Sequence, residues 1–409
     1  MKRTISVILM GLIGFAAFCD DELDFYKQQL DNALTAVDQL SILQLARGPA
    51  DKDDPDKYPE EIASAGELYA YALGRVLQMY SNLKGQKDLN AANDSFRLIA
   101  KGLTEDQKDG DPNLGQNLWR VVKLVPDPLV KMEVIQAVGR IKADEMLPRV
   151  IQILKDTTSA PYDNRIAGER IAYGAIDALK NFGDPSGYLP VFFALNGWYS
   201  NSLKKVADQA LPEIIEDPIE PLTEVLHNGA YNLEEKYAAL RAIEEKSKDE
   251  SAKGKAAIAA LYEGWRGYPV TPKMQKEAIK LRKLAIDMIA RYGIDGAEDD
   301  EKKQAYSLLE RSYRFGVDTE EHLGVVKALG NLATEESANL LSAFIAVLNS
   351  NLERGIVNQQ DERYMRALLP ALGSTGQASG KPVVRHALSL DWSSGVHQVA
   401  QKALDNLGK

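Results

Sequence analysis

Cysteine is almost missing from this chain of 409 residues, because Cys19 is the only one. An intrachain disulfide is therefore excluded, and the fold has to be stabilised by packing alone. Aromatic residues are also scarce, at 7% of the chain, whereas leucine, alanine, lysine and glutamate abound. That balance favours helix over sheet, because these residues lose little side-chain freedom in a helix. After the first segment, no apolar run is long enough to cross a membrane.

The common signatures of catalysis are missing too. The sequence contains no Gly-x-Ser-x-Gly nucleophile motif, no His-Glu-x-x-His zinc motif and no glycine-rich phosphate loop. Its four histidines, His227, His322, His386 and His397, are not accompanied by a second pair of metal ligands. We therefore predict no catalytic, cofactor-binding or metal-binding residues, and we interpret the protein as a non-enzyme.

The charge balance is acidic, with a formal net charge of −10. An acidic surface repels phosphate backbones, so nucleic acid is not expected as a partner. The same repulsion argues against adsorption of the folded surface to anionic lipid.

The first 19 residues have the pattern of an export signal. Lys2 and Arg3 precede an apolar run over 5–17, and Cys19 is followed by three acidic residues. We interpret 1–19 as a signal peptide, which places the mature protein outside the cytoplasm. Cys19 resembles the acylated cysteine of bacterial lipoproteins, although Phe18 fits that pattern poorly. The alternatives are a lipoprotein anchored at Cys19 and facing the periplasm, and a soluble periplasmic protein cleaved nearby.

A short phrase recurs along most of the chain: an alanine, a large aliphatic residue, two variable residues and a turn. Its fullest copy runs from Ala175 to Pro185, and 285–293 matches that copy closely, with Met288 in place of alanine. The anchor positions lie 32 to 46 residues apart, at 137, 178, 210, 242, 288, 328, 371 and 403. Such a variable period suits two helices per unit joined by loops of changing length.

These copies make residues 127–409 similar to the HEAT-repeat family. The stretch 175–191 resembles the consensus of that family most. The resemblance implies an all-α fold, an α-α superhelix or solenoid of helical hairpins. Tetratricopeptide repeats are the alternative, but their fixed period of 34 residues is absent. Residues 20–126 are helical in pattern but less repetitive, with helices predicted over 24–46, 60–83 and 89–103. We interpret them as an N-terminal cap, with a helical docking arm as the alternative.

Two aromatic clusters fall at predicted junctions between repeats. Trp198 and Tyr199 form one, and Trp265, Arg266 and Tyr268 form the other. These residue types dominate binding hot spots, so all five are candidate partner contacts. The alternative is that the rings fill wedges between helix pairs and serve packing.

The resemblance implies a protein-interaction scaffold, because stacked hairpins offer an extended surface rather than a deep pocket. With the export signal, the expected partners are proteins of the bacterial envelope. Two alternatives remain: a glycan- or small-ligand-binding protein that uses the aromatic junctions, and an enzyme accessory resembling the HEAT-like lyases.

Overall fold

The computed structural model describes residues 19–52, 54, 58–159, 164–267, 271–294 and 297–408, without the side chains of 19–21, 109 and 110. Within those residues every regular element is an α-helix or a short 3-10 helix. The described chain is therefore all-α, as the composition predicts. It forms two compact units, Met1–Glu216 and Asp217–Lys409. A division at 126, between cap and repeats, stays a prediction.

The first unit contains eleven α-helices in its described residues. They are α1 Cys19–Asn32, α2 Ala36–Arg47, α3 Ala65–Tyr80, α4 Gln86–Gly102, α5 Asp106–Gly110, α6 Leu114–Leu124, α7 Pro128–Arg140, α8 Leu147–Ser159, α9 Arg165–Phe182, α10 Tyr188–Leu195 and α11 Asn201–Ile214.

These helices pack in two parallel rows, which is the arrangement of an α-α solenoid. In row A, α2, α4, α7, α9 and α11 contact one another in sequence. In row B, α3 contacts α6, α8 contacts α10, and a 3-10 turn at Asp144–Met146 touches both α6 and α8. Each row-A helix also packs on a row-B helix, so the core lies between the rows.

The second unit repeats this construction with ten helices in its described part. They are α12 Ile219–His227, α13 Leu233–Lys246, α14 Glu250–Trp265, α15 Pro272–Tyr292, α16 Asp299–Phe315, α17 Thr319–Leu332, α18 Glu335–Glu353, α19 Gln359–Ser374, α20 Lys381–Ser389 and α21 Ser394–Asn406. Row A contains α13, α15, α17, α19 and α21, and row B contains α12, α14, α16, α18 and α20.

The recurring alanine phrase marks row A throughout. Each of its eight anchor positions, from 137 to 403, lies in the second half of a different row-A helix. Six of the anchors, Ala178 among them, are buried alanines, and Met288 is buried as well, whereas Ala242 is half-buried. The phrase therefore identifies the first helix of each hairpin from α7 onward.

Glycines that follow the anchors bring neighbouring row-A helices close together. A Cβ added to Gly330 would lie 2.7 Å from the carbonyl oxygen of Ala371, and one added to Gly373 would lie 2.8 Å from Cα of Ala403. A Cβ on Gly139 would overlap Cα of Ala178 in the same way. Gly330 lies inside the last turn of α17 and serves this close approach.

Helix ends otherwise follow the local sequence. Gly183 ends α9 in the left-handed conformation, with φ of 63°. The single helix predicted over 24–46 is wrong, because the chain breaks between α1 and α2. Thr35 accepts the backbone N–H of Asp38 at 3.1 Å, and Asp38 accepts the backbone N–H of Thr35 at the same distance. This reciprocal capping box starts a new helix at Ala36.

Candidate functional site

The first predicted aromatic cluster lies at a junction between helices of the first unit. Trp198 follows α10 and donates its indole N–H to the carbonyl oxygen of Thr157 in α8, at 3.1 Å. Tyr199 is only 4% exposed, and its hydroxyl lies 3.1 Å from that of Thr158. Arg165 donates to the carbonyl oxygen of Trp198 at 2.8 Å. Tyr199 thus packs inside this junction, and its role as a partner contact stays a prediction.

The second cluster lies at the edge of the hydrophobic core of the second unit. Trp265 ends α14 and donates its indole N–H to the hydroxyl oxygen of Ser312 in α16, at 2.7 Å. Its ring lies between two guanidinium groups, with Arg282 at 4.0 Å and Arg311 at 4.8 Å from the ring centre. Arg266 is exposed and pairs with Glu263 at 3.0 Å. Tyr268 lies outside the described residues.

A third tryptophan, which the sequence analysis did not single out, repeats the arrangement. Trp392 follows α20 and donates its indole N–H to Asn349 in α18, at 3.0 Å. Trp198, Trp265 and Trp392 therefore each lie at or just after the end of a row-B helix and hydrogen-bond to a neighbouring row-B helix. The recurrence favours packing as the common role of these indoles. The sequence signal for it was the position of each ring at a hairpin junction.

Buried charges surround Trp265, and sequence reasoning missed them. Lys236 is 1% exposed and donates to Glu263 at 2.6 Å and to the carbonyl oxygen of Leu226 at 2.9 Å. Arg282 and Glu321 form a second buried pair at 2.9 Å, which joins α15 to α17. Deleting one partner of such a pair costs about 3–5 kcal/mol, because the other charge is left buried alone. Both pairs are satisfied by partners within the fold.

An open apolar groove lies on row A of the first unit, and it is the feature that best suits a ligand. It has a volume of about 360 Å³ and is formed by α7, α9 and α11. Ile166 is 66% exposed and Tyr173 is 37% exposed on its rim. Met132, Leu203 and Val206 line it together with them. Clustered exposed apolar side chains of this kind mark interaction surfaces, whereas isolated ones do not.

A cleft of about 410 Å³ on row B of the second unit is more polar. His227, Lys255, Tyr262 and Glu301 are among the residues that line it. Lys255 and Glu301 lie 3.7 Å apart, so each offsets the other's charge. The cleft therefore offers a ligand no net charge, and its apolar residues, such as Ile219 and Ile258, are mixed with polar ones.

The other three histidines lie in separate surroundings. His322 approaches a tyrosine hydroxyl at 3.4 Å, His386 approaches a glutamate carboxylate at 3.1 Å, and His397 lies 2.9 Å from a backbone carbonyl oxygen. In the described part of the chain, no three His, Cys, Asp or Glu side chains converge in a way that could hold a metal ion. Searched over the same residues, no helix combines the length and apolar character needed to cross a bilayer.

Comparisons with known proteins assign no family. No family model matches the chain, and no curated protein matches it. Among solved structures, the chain is similar to an engineered protein at 17% identity, over 95% of this chain and 99% of that one, with a TM-score of 0.32. It is also similar, at 10% identity, to a chain from work on a phosphorylation switch that controls the interaction between cadherin and beta-catenin. That match covers 95% of this chain and 97% of the other, with a TM-score of 0.29.

Proposed function

We propose that this protein is a non-enzymatic scaffold that binds partner proteins on row A of its first unit. The observation that carries the proposal is the apolar groove of α7, α9 and α11, with Ile166 and Tyr173 exposed at its rim. A partner that covers such a surface releases water from it, which favours binding by about 25 cal/mol per Å² of apolar area buried. The helices that line the groove are held by close backbone contacts, so the surface is already formed before a partner binds.

The repeat units are of the HEAT type in this proposal, and the protein acts in the bacterial cell envelope. The support is the alanine phrase on every row-A helix from α7 onward and the basic-then-apolar pattern of residues 1–19. Attachment to a membrane through an acylated Cys19 is part of the proposal, with free periplasmic protein as its alternative.

The groove can be tested by site-specific crosslinking in intact cells. A photoreactive residue replaces Ile166, and the control replaces Ile356, which is 60% exposed in the second unit. We expect a discrete crosslinked protein at Ile166 and none at Ile356, and mass spectrometry then identifies it.

The identified partner is next purified and titrated against two variants. Ile166→Asp places a charge in the groove and should weaken binding about tenfold or more, because burying an unpaired carboxylate is costly. Ile356→Asp adds the same charge elsewhere and should leave the affinity unchanged. Equal affinities for the two variants would refute the groove as the binding surface.

A further inference from the structure

A small basic pocket lies next to the groove in the same row of helices. It has a volume of about 210 Å³ and is formed by α2, α4 and the segment at Tyr58. Leu40, Leu98 and the Tyr58 ring give it apolar walls. Its cations are those of Arg47, Arg97 and Lys101, and they contrast with the acidic balance of the whole chain.

Two of these cations share one buried carboxylate. Arg97 Nε lies 3.0 Å from Glu133, and Lys101 Nζ lies 3.8 Å from the same side chain. Asp94 is 3.5 Å from Arg97 but is exposed, so solvent screens that pair. Glu133 therefore orients both cations at the pocket without neutralising both.

Arg47 forms no ion pair in the part of the chain that the structure describes, although its charge opposes the rise in pKa that burial and the hydrogen bond to Glu61 cause at the nearby Tyr69 hydroxyl. Its guanidinium stacks on the Tyr58 ring, 3.7 Å from the ring centre. Its Nε is removed from solvent and has no acceptor among the described atoms. A buried N–H without an acceptor costs free energy, and a ligand carboxylate that displaced the groups covering it would remove that cost. The planar guanidinium also suits a carboxylate, because it can donate two parallel hydrogen bonds.

The pocket and the groove are neighbours in row A. Arg97 and Lys101 belong to α4, which contacts α7, and α7 carries both Glu133 and the groove residue Met132. Packed helices lie about 8–10 Å apart. The pocket lies between α2 and α4, and the near half of the groove lies between α7 and α9, so their centres are two helix spacings, or about 16–20 Å, apart. An extended chain covers that span in about five or six residues.

We propose that Arg47, with Arg97 and Lys101, binds a carboxylate of a protein segment whose apolar side chains occupy the groove. The inference rests on the proposed function and names its ligand: an extended peptide with an acidic residue about five positions from a pair of aliphatic residues.

The test uses the full-length protein and a designed probe. The probe is the terminally blocked peptide Glu-Gly-Ser-Gly-Ser-Leu-Ile, and its matched control carries Gln in place of Glu. Binding is followed by NMR of the arginine Nε–Hε groups, which reports hydrogen bonding at Arg47 directly. We expect a saturable shift of the Arg47 signal with the Glu peptide and a dissociation constant about tenfold weaker for the Gln peptide.

Variants of the protein show which side chains bind the carboxylate of the peptide. Arg47→Gln and Lys101→Gln should each weaken binding of the Glu peptide. The control Arg120→Gln removes the same charge from the exposed surface of α6 and should leave that binding unchanged. Lys101 is about half exposed, so that variant is expected to fold even if Arg47→Gln does not. Equal binding of the Glu and Gln peptides, or equal binding by Arg47→Gln and Arg120→Gln, would overturn the proposal.

Inorganic phosphate distinguishes a second source of negative charge. If phosphate saturates the Arg47 signal and displaces the Glu peptide at lower concentration, the pocket is a free-anion site and the peptide proposal is wrong. The proposed function fails separately, since it depends on crosslinking at Ile166. A partner that binds in the groove equally well with Arg47→Gln would leave that function standing and refute only the pocket.

Discussion

At the scale of single residues, the tryptophans show how a residue type typical of interfaces can serve packing instead. The indole N–H groups of Trp198, Trp265 and Trp392 find acceptors that lie 41, 47 and 43 residues away along the chain. The acceptors are a carbonyl, a hydroxyl and a side-chain amide, so no short motif encodes the contact. What recurs is the place, at the end of a row-B helix, where an amphipathic ring can bury its body and satisfy its N–H.

For Trp265 we predict a loss of stability rather than a loss of partner binding. Trp265→Ala removes the hydrogen bond to Ser312 and the ring between Arg282 and Arg311, and should lower the free energy of unfolding by about 2–4 kcal/mol. The control Arg266→Ala changes an exposed side chain and should stay within about 0.5 kcal/mol. Urea unfolding measures both. An unchanged stability of Trp265→Ala together with lost partner binding would show that the ring is a contact residue.

At the scale of helices, the spacing within row A depends on missing side-chain atoms. Gly139, Gly330 and Gly373 each lie against the backbone or Cβ of the next row-A helix. The partners of Gly139, Gly330 and Gly373 include Ala178, Ala371 and Ala403, which belong to the recurring phrase. Small residues on both sides let backbones approach, and the larger buried side chains around them then pack without voids.

Two glycine-to-alanine changes should shift the stability of the fold in opposite directions. Gly139→Ala places a methyl group where Cα of Ala178 lies, so α7 and α9 must separate, at a cost of about 1–3 kcal/mol. Gly74→Ala fills open space in the middle of α3 and should stabilise by about 0.5–1 kcal/mol through helix propensity. Thermal unfolding of the two variants checks the prediction. A Gly139→Ala protein as stable as Gly74→Ala would show that the helix contact is not tight.

At the scale of the whole molecule, the two compact units share one plan. Each stacks its helices in two rows, and each row element contacts mainly its sequence neighbours. Stability in such a plan is a sum of local terms, so the fold can carry a long chain without a single large core. Function then depends on which stretch of surface is exposed and where the molecule is held.

Attachment of the whole molecule to a membrane is predicted to depend on acylation of Cys19. In a bacterial host, a fatty-acid probe should label the wild-type chain, and the protein should fractionate with membranes. Cys19→Ser removes the only thiol and should abolish the label while leaving the melting temperature of the folded part unchanged. An unlabelled wild type recovered from the soluble periplasm would refute the lipoprotein and favour cleavage by ordinary signal peptidase.

The junctions at Trp198 and Trp265 were visible in the sequence, although their role was left open between contact and packing, whereas the junction at Trp392 was missed. The groove at Ile166 and the pocket at Arg47 were not visible, because each combines residues from three separate segments of the first unit. The break before Ala36 was missed although its capping box is local, since the apolar spacing on both sides suits one continuous helix.

By itself, the sequence determined the all-helical class and the alanine phrase that marks row A. The class and the phrase depend on side-chain freedom and periodicity within a few residues, so local chemistry is enough to specify them, whereas several helix starts were placed three to five residues away from those observed. Only the tertiary structure decided which glycines are close-packed, which charges are buried in pairs and which apolar side chains stay exposed. Those outcomes depend on the residue that each side chain meets about forty positions away, and one chain read in order does not reveal that pairing.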